Sequence, residues 1–148
     1  MKNLFLIVLL LCNLFTKAQT PNDDIKKVIQ TLFVAMQQGD STLANSCFDG
    51  SAHLQTALFD KKTNKTKLIN EPLDSFLFQV NSIKKLTVKI EERITNYDIK
   101  IDDPLASVWA EYEFYIDGKL SHKGVDAFQL FKSNAGWKII QICDTRRK

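Results

Sequence analysis

The sequence predicts an α+β domain whose helices gather on one face of an antiparallel sheet. Three observations carry this. Apolar residues recur at helical spacing early in the chain, strand-period alternation takes over beyond Ser82, and an Asp-Gly pair marks a tight turn between two long strands. The 148 residues suit one domain, and a 45% hydrophobic, 10% aromatic composition argues against disorder. A net charge of +3 gives no nucleic-acid or polybasic membrane signal. Two histidines and three cysteines are too few for most multi-ligand zinc sites. Phosphate-loop, nucleophile-elbow and zincin motifs are absent, and neither a metal nor another cofactor is expected.

Residues 1–18 read as a secretory signal peptide: Lys2, an apolar run from Leu4 to Phe15, and Ala18 as a small residue at the cleavage point. The run is too short for a bilayer span, which needs about 20 residues. Cleavage after Ala18 leaves a single domain over 19–148, directed to the periplasm or the exterior. The alternative is a lipoprotein signal using Cys12, against which stand the large Leu11 before it and the apolar Leu14-Phe15 after it. Cys47 and Cys143 remain in an oxidising compartment, either as a disulfide or as two buried thiols.

The first helix is expected over Asp23–Gln38, with Ile25, Val28, Ile29, Leu32, Phe33 and Met36 on one face and Gly39 as its stop. Asp40-Ser41 can cap a short second helix. A strand over Ala52–Phe59, a basic turn and a return strand over Thr66–Ile69 form a hairpin. Pro72 suits the first turn of a third helix carrying Leu73, Phe76, Leu77 and Val80. Strands are then expected from Leu86 through Thr95, over Leu105–Ile116, over Lys119–Lys132 and over Trp137–Thr145. Asp117-Gly118 forms a two-residue hairpin turn between the second and third of these.

This order of elements resembles the nuclear transport factor 2-like superfamily, in its exported SnoaL-like or lumazine-binding-like branch. The residues that carry the resemblance are Asp23–Gly39, the stretch Cys47-Phe48-Asp49-Gly50-Ser51-Ala52-His53-Leu54, and Gly136-Trp137-Lys138-Ile139-Ile140. Where that branch often has a His-Pro-Asp-type stretch, this chain has Phe48-Asp49-Gly50-Ser51, so no site residue is carried over from there. The resemblance implies a cystatin-like cone: a curved sheet wrapped around helices, a pocket at the open end, and often a homodimer formed through the outer sheet face. Its members include isomerases, cyclases, dehydratases and non-catalytic binding domains, so the fold does not choose among activities.

A site can be sought from strand register. A two-residue turn at Asp117-Gly118 would set Glu113 opposite His122, Glu111 opposite Gly124 and Trp109 opposite Asp126. A four-residue loop at Ser133–Gly136 would set Phe128 opposite Gln141 and Asp126 opposite Cys143. On that reading the pocket face carries Trp109, Glu111, Tyr115, Phe128 and Gln141 as ligand-binding candidates. Val108, Ala110, Tyr112 and Phe114 lie on the other face, available to a second copy. A one-residue slip, or a swap of faces, would exchange these assignments. Glu113 beside His122 is a candidate acid–base pair, or an ordinary cross-strand polar pair. Asp126 is a candidate buried base, or an Asp satisfied by a turn or an indole N–H. His53 reads as a rim histidine, and the basic tail as a solvated end. The functions that follow are a non-catalytic pocket binding a small molecule or, as the alternative, a small isomerase-, cyclase- or dehydratase-like enzyme. Enclosure of the acid–base group distinguishes the two.

Overall fold

The structure is a computed structural model, and residues 20–148 are described. The expected signal peptide over 1–18 and the Cys12 alternative lie outside the described residues. Helix α1 (Pro21–Gln38) starts ahead of the apolar stripe because Thr20 and Asp23 form a reciprocal capping box and Pro21 occupies the first turn. Gly39, at φ 67°, closes the helix with its N–H on the carbonyls of Ala35 and Met36. Helix α2 (Ser41–Ser46) is capped by the Asp40 carboxylate, which accepts from the Leu43 N–H at 2.9 Å. Strands β1 (Phe48–Asp60) and β2 (Lys65–Glu71) form a hairpin, and α3 (Leu73–Ile83) follows Pro72. Strands β3 (Ile90–Asp102), β4 (Leu105–Ile116), β5 (Lys119–Ser133) and β6 (Gly136–Arg147) complete the chain. The expected strand start at Leu86 moves to Ile90; Leu86 and Val88 are exposed in an irregular segment.

All six strands join one curved, unclosed sheet in the order β2-β1-β6-β5-β4-β3, so the α+β expectation holds. Neighbours are antiparallel except β1 and β6, which run parallel. The Asp117-Gly118 turn forms as expected, both residues having positive φ (49° and 74°), the requirement of a type I′ turn.

Register departs from expectation at two β-bulges. Next to the turn, Ile116 faces Lys119 and Tyr115 faces Leu120. Ser121 is then an extra residue, so that Phe114 faces His122, Tyr112 faces Gly124 and Ala110 faces Asp126. Between β5 and β6, Leu130 faces Ile139 as expected. Ile140 is then extra, and Gln129 faces Gln141, Phe128 faces Ile142 and Asp126 faces Asp144. Each bulge moves every side chain beyond it on one strand to the opposite face.

The concave face therefore carries Ala106, Val108 and Ala110 of β4 with Phe128 and Leu130 of β5 and Ile139 of β6. These pack against Ile25, Ile29 and Leu32 of α1 and Val80 of α3. The β4 residues expected to lie outside, Val108 and Ala110, are in the core, while Phe128 and Leu130 of β5 and Ile139 of β6 keep their expected inward face. Cys47 is buried in that core, Cys143 lies on β6 beyond the bulge, and both are free thiols. The possible Cys47–Cys143 disulfide is not formed: the bulge turns Cys143 away from the face that holds Cys47.

Gly124 fixes the close packing beside the first bulge. A Cβ there would stand 1.9 Å from the Thr145 carbonyl oxygen and 2.5 Å from the Tyr112 ring. The Tyr112 hydroxyl donates to that same Thr145 carbonyl at 2.9 Å, so the ring lies across the glycine. Gly124→Ala is expected to destabilise the domain by about 1–3 kcal/mol, the usual cost of overpacking, as a lower urea midpoint with unchanged slope. An unchanged midpoint would show that the Thr145 backbone and the Tyr112 ring both give way freely.

Candidate functional site

Along β4 the inward residues grow from Ala106, Val108 and Ala110 to Tyr112 and Phe114. Where they are small, α1 packs on the sheet. Where they are large, the helices no longer cover it, and a cavity of about 490 Å³ opens between the sheet, α1 and α3. Its apolar wall includes Leu32, Phe33, Met36, Phe76, Phe128 and Ile142. Phe33 meets Phe128 edge-on at 6.3 Å between centroids.

The polar end is built by strands β3 to β6. Asp126 comes from β5, Glu92 from β3, Tyr112 from β4, and Asp144 and Arg146 from β6. Asp126 is 5% exposed; its Oδ2 accepts from no N–H or hydroxyl among the described residues, and its carboxyl pairs with that of Glu92. A buried, unsatisfied carboxyl oxygen is costly, so its presence in a cavity wall points to a function. Asp144 is satisfied on both oxygens, by the Thr56 hydroxyl at 2.5 Å and the Arg146 Nε at 2.9 Å. His122 stacks on Phe114 at 4.9 Å between centroids and meets Tyr112 edge-on, extending an aromatic wall.

Ionisation follows from this burial. Desolvation pushes the Glu92 carboxyl up to about 7, with the Asp144 charge adding to the rise. The same desolvation, followed by the charges of Glu92 and Asp144, pushes Asp126 well above the usual carboxylate range. The two carboxyls act as one titrating pair that keeps a proton near neutral pH. Burial also raises the Tyr112 hydroxyl, which stays protonated, and lowers His122, which is held toward its neutral form. The cavity end is thus a proton-holding carboxyl pair beside a tyrosine O–H and a neutral imidazole.

Of the expected site residues, Asp126, Phe128 and His122 line the cavity. The expected Glu113–His122 pair does not form. The Ser121 bulge sends Glu113 to the convex face, where it accepts from Lys123 Nζ at 2.5 Å and the Tyr115 hydroxyl at 2.6 Å. Those two donors hold the Glu113 carboxyl below its ordinary range, the reverse of a general acid. The same bulge puts Trp109, Glu111 and Tyr115 outside; Trp109 is 53% exposed, and Tyr115 lies under the Arg93 guanidinium at 4.2 Å. The Ile140 bulge puts Gln141 outside and brings Ile142, Asp144 and Arg146 in. The His53 side chain is not in the cavity wall. Glu92 went unnoticed, although a charged residue between Ile90 and Ile94 in an inward-facing row was a usable signal.

Because the folded chain holds protons on Asp126 and Glu92 that the unfolded chain gives up, the pair's contribution to stability is complete below about pH 4. It is lost as pH rises through about 7. Asp126→Asn removes the ionising group and keeps its shape. The variant is expected to lose less stability than the parent between pH 5 and pH 8, with a gap of roughly 1–3 kcal/mol at pH 8. Melting curves at the two pH values check this, and parallel losses would exonerate the pair.

No family model matches the chain, and no curated protein matches it in sequence. Solved structures do match. An NTF2-like protein of unknown function from Shewanella baltica superposes with a TM-score of 0.63 at 18% identity, covering 86% of this chain and 94% of its own. An NTF2-like protein from Cytophaga hutchinsonii gives 0.67 at 15% identity over 86% and 99%. A protein from Streptomyces avermitilis, provisionally described as a dehydratase of the NTF2-like family, gives 0.63 at 14% identity over 87% and 99%. With helices held in a curved, unclosed six-stranded sheet and these structures superposing over most of its length, the chain has the nuclear transport factor 2-like, cystatin-like fold.

Proposed function

We propose that this chain is an exported pocket protein that binds a small, largely apolar molecule through a few polar contacts. The observation that carries the reading is Asp126 Oδ2, buried in the wall of an otherwise mostly apolar cavity of about 490 Å³ and accepting from no N–H or hydroxyl among the described residues. That volume lies in the range of ligand pockets, and a few convergent polar groups in an apolar lining are their usual composition. Among the described residues no three His, Cys, Asp or Glu side chains converge on a metal position, so the polar end reads as an organic-ligand anchor. Among the described residues, too, no helix is long and apolar enough to cross a membrane. Export rests on the residue 1–18 pattern.

The reading extends to a homodimer through the convex face, where Leu105 and Phe131 are exposed directly opposite each other on β4 and β5 and Trp109 is exposed four residues further along β4. Sedimentation is expected to give a dimer for the parent and a monomer for Trp109→Lys. A monomeric parent would remove the dimer from the proposal.

A second reading has an observation of its own. The Glu92–Asp126 pair lies in the cavity wall, Asp126 buried and Glu92 half-buried, and keeps a proton near neutral pH, a condition for a general acid–base centre. It supports an isomerase- or dehydratase-like activity, and one of the superposing structures is provisionally described as a dehydratase.

Native mass spectrometry of protein taken from its host is expected to find a retained small molecule, and a neutral solvent-sensitive dye should bind with one site per chain. Ser82→Trp, placed in the cavity lining, should weaken that dye at least tenfold. Dye binding untouched by the tryptophan would remove the cavity as the site.

A further inference from the structure

The cavity is acidic in a chain that is not. The full sequence has 20 lysines and arginines against 17 acids. The cavity lining has four carboxyl residues, Glu71, Glu92, Asp126 and Asp144, one guanidinium, Arg146, and no lysine. The positive charge of Arg146 is already engaged by Asp144, at 2.9 Å through Nε. Glu71 accepts from the Gln79 side chain near α3. Among the described residues no cation pairs directly with Asp126 or Glu92, and Asp126 Oδ2 accepts from no N–H or hydroxyl.

The groups around the pair have fixed roles. From β3 come Glu92 and Tyr97, from β4 Tyr112, from β5 His122, and from β6 Asp144 and Arg146. Helices α1 and α3 present only Leu32, Phe33, Met36, Phe76, Gln79, Val80, Ser82 and Ile83 to the cavity, none of them titratable. A ligand carboxylate would meet the pair's negative charge with no free cation to receive it. A neutral ligand would leave that charge unanswered. An N–H-bearing cation would satisfy that acceptor, in a lining that includes the aromatic side chains of Tyr112, Phe114 and Phe128.

We propose that the cavity takes a hydrophobic amine, with its apolar body against α1 and α3 and its protonated nitrogen received by Asp126 Oδ2 and the Glu92 carboxyl. This rests on the binding reading above and names the ligand class for that same site. The proton balance is simple: an ammonium ion enters, and the proton shared by the pair leaves to solvent. Affinity should therefore fall as pH drops below about 7, where the pair holds its proton more tightly, approaching tenfold per unit for a single displaced proton.

The test compares three probes of one shape by isothermal titration calorimetry: 2-(1-naphthyl)ethylamine, 2-(1-naphthyl)ethanol and 1-naphthylacetate. The amine is expected to bind at least tenfold tighter than the alcohol at pH 8, and the acid weaker than both. Buffers of different ionisation heat should reveal proton release at pH 6. The amine's advantage over the alcohol should shrink at least fivefold in Asp126→Asn and in Glu92→Gln. If alcohol and amine bind alike, the amine proposal falls and the binding pocket stands. Tighter binding of the acid would move the anchor to Arg146 and overturn the proposal. Failure of all three probes and of the neutral dye overturns both readings.

Discussion

The seating of α1 on the concave sheet face is the interaction on which the rest of the structure depends. Ile25, Ile29 and Leu32 are almost completely buried there, against residues as small as Ala106 and Ala110. Small side chains on β4 let the helix approach the sheet, and that approach removes the largest block of apolar surface from water. Further along β4 the inward side chains become Tyr112 and Phe114, and there they line the cavity. The cavity thus begins where the small residues of the strand end. Nothing has to open for it to exist.

Placing carboxyls in that cavity costs stability, and the chain limits the cost in two ways. Asp144 is neutralised by Arg146 and by the Thr56 hydroxyl on the parallel neighbour β1. Asp126 and Glu92 have no such cation and reduce the cost by holding a proton between them. Only the first device leaves a carboxyl fully satisfied. The second leaves Asp126 Oδ2 open, and a fold selected for stability alone would place an apolar residue there.

Much of the fold was legible in the sequence because it rests on local chemistry. The α1 stripe, the Asp40 cap, the Asp117-Gly118 turn and the extents of β4 and β5 all follow from neighbouring residues. The parallel pairing of β1 with β6 was not legible, since it joins residues as distant as Thr56 and Asp144 with no local signal. The candidate site was half legible. Asp126, Phe128 and His122 were found because β5 keeps its expected face. Trp109, Glu111, Tyr115 and Gln141 were misplaced because a period-two pattern reads the same with or without an added residue. Ser121 and Ile140 look like ordinary strand positions; only the closeness of Tyr112 to Gly124, and of Ile142 to Phe128, reveals them as bulges.

The open oxygen of Asp126 ties binding to folding. The folded chain bears an unsatisfied buried acceptor that the unfolded chain would hydrate, so the empty protein is less stable than its packing allows. A ligand that donates to that oxygen removes the penalty, and its stabilising effect grows with its concentration over its dissociation constant. The effect should be greatest above pH 7, where the pair has lost its proton and with it the stability that the proton conferred. The same carboxyl pair that weakens the empty domain at high pH is the one best prepared there to receive a cation. Folding and recognition thus respond to pH in opposite directions, because they compete for the same pair of oxygens with a proton in one case and a ligand N–H in the other.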